Sequence, residues 1–140
     1  MKNIVFICLF LGGCCISAFN PQSQINVMNL KDSHLAFISE FTEKENNIWE
    51  LQKFETQKEL VNMDFQKALE HSQTMCDKLR TKNIELLRDT FQEDENNIRK
   101  KDRLLTEIES KILSNSTSQA YESALAAECA RNNKMEGMCK

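Results

Sequence analysis

The side chains able to do chemistry are few and widely spaced. His34 and His71 are the two histidines, and beyond Cys15 the cysteines are Cys76, Cys129 and Cys139. A metal site gathers three or four such groups, often at short regular spacing in the chain. Here His71 and Cys76 stand five apart and the other cysteines are remote, so no HExxH or CxxC pattern forms. No glycine-rich phosphate loop is present. A nucleophile built from Cys129 or Cys139 with His71 would need an exposed, reduced thiol beside its base. Carboxylates occur on every stretch and single out no pair. The expectation is a protein with no catalytic residues, no metal and no other cofactor.

The cysteines gain meaning from the N-terminus. Met1-Lys2-Asn3 is a short positive start, Ile4 to Ile16 is apolar, and Ser17-Ala18 follows. That is the layout of a secretory signal peptide, residues 1–18, cut after Ala18. The apolar run is shorter than the roughly 20 residues that span a hydrocarbon core. Leu11-Gly12-Gly13-Cys14 offers a rival reading, because it resembles a bacterial lipoprotein box that would leave the chain lipid-anchored at Cys14. The leading expectation is a secreted, extracellular protein with no stable membrane insertion.

In an oxidising compartment Cys76, Cys129 and Cys139 supply one disulfide and one spare thiol. A bond from Cys76 to either C-terminal cysteine would anchor the tail to the body of the domain. A Cys129–Cys139 bond would close only a local loop. The spare thiol could link two chains as a homodimer. Asn115-Ser116-Thr117 is a sequon for N-glycosylation and makes Asn115 a second candidate for modification.

Charge narrows the partners. Lys2 would leave with the leader, taking 18 Lys and Arg to 17 against 21 Asp and Glu, so the mature charge is about −4. Both signs are interspersed, which argues against nucleic acid as a partner. Arg99-Lys100-Lys101 with Arg103 reads as a solvated helix face, since Glu93-Asp94-Glu95 lies one turn before it.

The elements that must position these groups are helices. Pro21 is the only proline, and the glycines are Gly12, Gly13 and Gly137, so nothing between Gln22 and Glu136 breaks a helix by backbone chemistry. Apolar residues recur at steps of three, four and seven, for example Phe37, Phe41, Ile48 and Leu51, or Leu87, Phe91, Ile98, Leu105, Ile108 and Ile112. Such faces pack on one another. The predicted fold is all-α: a single domain over 19–140, arranged as an elongated antiparallel bundle of three to four helices, with a short irregular tail from about 132. The alternative is a long-helix coiled coil. Phe37, Phe41, Trp49, Phe54, Met63, Phe65 and Met75 would form the core or line a pocket for an apolar ligand.

The breaks between helices are less plain. FTEKENNI at 41–48 returns as FQEDENNI at 91–98. Each copy could be a turn with Asn47 or Asn97 as N-cap, or one heptad step inside a continuous helix, or a trace of duplication. As turns they divide the chain into helices near 24–45, 48–92, 98–113 and 118–132, with the second copy, rich in consecutive polar residues, the better turn. As continuous helix they place Lys44 and Asp94 in an apolar seam. Ser114 to Ser118 is a run of small polar residues, predicted to be a loop, with Ser116 and Gln119 spaced as the capping box of a last helix.

The function expected from these residues is a secreted, non-enzymatic helical binding or effector protein. It would contact an unidentified extracellular partner through a helix face or the end near Asn115. A carrier of a small apolar ligand and a structural coiled-coil oligomer are the alternatives.

Overall fold

The computed structural model describes residues 19–131. They form four α-helices: α1 (Pro21–Glu40), α2 (Leu51–Thr74), α3 (Lys78–Lys101) and α4 (Glu107–Ala130). Local chemistry explains most of the ends. The Asn20 side chain accepts the Ser23 N–H and Pro21 opens α1 with a preset φ. Asp77 caps α3 by accepting the Leu79 and Arg80 N–H groups. Arg99, Lys100 and Lys101 fill the last turn of α3, where cations meet the negative end of the helix dipole. Asp102 then turns the chain in the left-handed region, φ 49°. Thr106 and Glu109 form a reciprocal capping box that starts α4. Only α2 enters without a side-chain cap, from Glu50.

The helices run up and down as an antiparallel bundle. α1 packs between α4 and α2, α2 packs on α3, and of these four neighbouring pairs α3 and α4 meet least closely. At one end the α1–α2 loop is stitched to the α3–α4 loop by a parallel bridge between Thr42 and Leu105. The Glu43 N–H donates to the Leu105 carbonyl at 2.8 Å, and the Leu105 N–H donates to the Phe41 carbonyl at 2.7 Å. The core is aromatic. Phe41, Phe54, Phe65 and Phe91 are fully buried, and Phe37 joins their edge-to-face and tilted contacts at centroid distances of 5.1–5.3 Å.

The bundle class agrees with the apolar periodicity, but three boundaries differ from expectation. The second doubled stretch is no turn; residues 91–98 lie inside α3. Its polar residues are shared between solvent and core: Glu93, Asn96 and Asn97 are exposed, while Asp94 points inward to partners. The first copy is a loop, yet Asn47 caps nothing. Its side-chain N–H donates to the carbonyls of Ser39 and Thr42 and so closes the loop on itself. The run Ser114–Ser118 is the middle of α4, not a break, and Ser116 bonds back to the Leu113 carbonyl instead of capping. The breaks lie at 75–77 and 102–106, where Asp77, Asp102 and Thr106 supply cap chemistry. The signal-peptide and Cys14 assignments, and the tail from 132 with Cys139, lie outside the described residues.

Candidate functional site

Among the described residues, two clusters of charged and polar side chains are buried between helices. The first sits mid-bundle. His34 on α1 is fully buried, with Nδ1 3.3 Å from the Tyr121 hydroxyl of α4 and Nε2 3.0 Å from Asp94 Oδ2 of α3. The Nε2 approach is close but is not aligned as a hydrogen bond. Thr117 of α4 donates its hydroxyl to the same Asp94 oxygen at 2.8 Å. Three helices are thus tied at one carboxylate. Burial, with the Asp94 charge adding to it, pushes the Tyr121 hydroxyl far above its ordinary pKa, so it stays protonated and free to donate.

The second cluster closes the other end of the bundle. Arg80 makes a two-pronged pair with Glu128, Nε to Oε1 and Nη2 to Oε2, both 2.8 Å. Asp77 faces Arg80 Nη1 at 3.6 Å and also takes Arg131. All of Asp77, Arg80 and Glu128 are buried. The Glu128 bond holds the Arg80 guanidinium above its already high pKa, against the cost of burial. This arrangement satisfies charge on charge, and it spans the start of α3 and the end of α4.

The predicted site residues are dispersed. Phe37, Phe41, Phe54 and Phe65 are buried against other rings, and Trp49 joins them from the loop while donating to Asp102 at 2.9 Å. Met63 is exposed on α2, and Met75 lies at the α2–α3 turn against Ser23 and Arg80. Asn115 is exposed in the middle of α4. The expected bond from Cys76 to the C-terminal cysteines is not formed: Cys76 is a free, exposed thiol, held with φ 54° in the turn before Asp77. Cys129 is disulfide-bonded.

What the structure does assemble is two recesses along the seam of α3 and α4, with the buried Thr117–Asp94 bond between them in sequence. One recess, about 270 Å3, is lined by Asn83, Leu86, Leu87 and Thr90 of α3 and by Ala120, Ser123, Ala124 and Ala127 of α4. A second, about 460 Å3, continues the seam toward the α3–α4 loop, between Ile98 on one wall and Ile112 and Leu113 on the other. Leu86 is 52% exposed and Ile112 66% exposed, and Ile108 stands one turn from Ile112 at 73%. The first recess carries no charged residue, although 28% of the chain is charged. Lys100, Lys101 and Glu109 rim the second. Sequence reasoning placed Ile98, Leu105, Ile108 and Ile112 in one core-facing stripe. The capping box at Thr106 was the available signal that Ile108 and Ile112 belong to a different helix and need not share that face.

Among the described residues no three His, Cys, Asp or Glu side chains gather as a metal ion would require. No described helix is long and apolar enough to cross a membrane. Comparisons with protein-family models, with curated proteins and with solved structures find no match to this chain.

Proposed function

We propose that this chain is an exported, non-enzymatic helical protein that binds an extracellular protein through the α3–α4 groove. One observation carries the reading: the uncharged first recess includes half-exposed Leu86, and exposed Ile112 lines the second recess of the same α3–α4 seam. Apolar side chains collected in a groove have a reason to stay there when a partner covers them. Export rests on the leader-like residues 1–18. The test is native mass spectrometry of the chain recovered from the medium of cells that express it. The expected species begins at Phe19 and carries a stoichiometric partner. The double variant Leu86→Glu, Ile112→Glu should be recovered without that partner. A chain retained in the cell overturns export, and a partner that survives both substitutions overturns the groove.

A second reading is supported by Cys76. A free, exposed thiol at a turn is available to a second copy, which would give a covalent homodimer. Non-reducing gel mobility that does not change with reductant removes it. The carrier reading draws on the aromatic cluster, where Phe37, Phe41 and Phe54 already fill the space between one another. It would require those rings to part, and saturable displacement of an apolar dye would be its sign.

A further inference from the structure

We infer that Asn115 is an N-glycosylation acceptor only before α4 folds, because folding separates the two residues that define its sequon. The acceptor signal pairs an Asn with a Ser or Thr two positions on. A transferase that demands both must touch both from one active site. In an extended chain residues i and i+2 point to the same side, which permits that contact. In a helix they diverge by about 200° around the axis. The structure shows the consequence. Asn115 is exposed at the middle of α4, whereas Thr117 is fully buried and donates its hydroxyl to Asp94 at 2.8 Å. Ser116, between them, is bonded to the Leu113 carbonyl, so the segment is held as helix at each position. Local fraying does not free it, since it lies eight residues from the nearer end of α4.

The step needs a donor sugar carried on a lipid diphosphate. The Asn115 amide nitrogen attacks the anomeric carbon of that sugar. The carbon–oxygen bond to the diphosphate breaks, the lipid diphosphate leaves with the electron pair, and the amide loses one proton. The product is an N-glycosidic bond at an exposed position that the folded helix tolerates, because the glycan projects into solvent. The timing follows from the same geometry. Transfer competes with formation of the Thr117–Asp94 bond, so the fraction modified is set during synthesis and is then frozen. The inference uses the export reading only for its setting in the cell; the acceptor geometry stands without it.

The test offers three full-length chains to an oligosaccharyltransferase with its lipid-linked oligosaccharide donor. The first is the purified folded chain. The second is the Phe91→Asp variant, which keeps the sequon but cannot close the core. The third is the wild-type chain made on ribosomes with membranes present, carrying a known secretory leader in place of residues 1–18. Mass spectrometry reads the glycan on Asn115. The expected result is modification of the second and third chains and at least about a hundredfold less of the first, since a stable fold leaves the open form rare. Asn115→Gln should abolish it in every arm. Modification of the folded chain at a comparable rate overturns the inference, and so does the absence of modification in all three arms. Failure of export alone would leave the result unchanged, because the third chain uses a borrowed leader and the other two meet the enzyme in solution without being exported.

Discussion

The Thr117 hydroxyl of α4 donates to the buried carboxylate of Asp94 on α3, 2.8 Å away. The seam between these helices is the loosest of the four neighbouring pairs, and this bond crosses it at mid-height. With His34 of α1 on the same oxygen, Asp94 acts as the joint that fixes α3 against two neighbours. Asp94→Ala should leave the Thr117 hydroxyl without its acceptor and remove the carboxylate that lies against His34. A loss of about 3 kcal/mol is expected in urea unfolding, more than surface carboxylates lose. Thr117→Ser keeps the donor and should cost much less.

The Arg80–Glu128 pair predicts an asymmetry between single and paired changes. Removing Glu128 takes the two-pronged bond from a buried guanidinium and leaves it to Asp77, so Glu128→Ala should cost about 3–5 kcal/mol. Replacing both with apolar residues of similar size should recover most of that loss. Thermal melts of the two single variants and the double variant form the check. Additive losses would show that the pair is not coupled.

Phe91 lies at the centre of the aromatic core and touches His34, Phe37 and Phe65. Phe91→Ala should destabilise by about 3–5 kcal/mol. Met63→Ala, on the exposed face of α2, should fall within about 0.5 kcal/mol of the parent.

Glu95 predicts a pH effect of defined sign. Burial, with Glu55 adding to it, raises its carboxyl above the ordinary range, against the pull of Lys58 and Arg99. The folded chain therefore holds this proton more tightly than the unfolded one. Its contribution is fully present below the ordinary carboxylate range and is lost as pH rises through the raised value. Glu95→Gln should be more stable than the parent at pH 7 and close to it at pH 4. A larger gap at pH 4 would reverse the assignment.

Thiol chemistry separates the cysteines. Alkylation of the folded, unreduced chain should label Cys76 quickly and spare Cys129, which is disulfide-bonded. Peptide mapping after one short pulse reads both sites.

The helical class was legible from apolar steps of three and four and from the absence of internal proline and glycine. The boundaries were not, because polar runs are ambiguous in a helix. Glu93 to Asn97 looked like a turn, yet one inward carboxylate with partners is enough to carry α3 through it. Ser114 to Ser118 looked like a loop, yet Thr117 faces the core and Ser116 satisfies itself against the backbone. The true breaks were written in cap chemistry, at Asp77 and at Thr106–Glu109, which fall inside the helices expected near 48–92 and 98–113. The groove was least legible of all. It depends on how far α3 and α4 stand apart, a property of the packed bundle that no local pattern encodes.

The most direct measurement of the account is site-specific photo-crosslinking on the exported full-length chain. A photoreactive residue at Ile112, in the groove, should give a single stoichiometric adduct that is lost when Leu86→Glu is added. The same residue at Met63, on the exposed face of α2, should give none. Equal adducts at both positions, or no adduct at Ile112, would contradict binding through the α3–α4 groove.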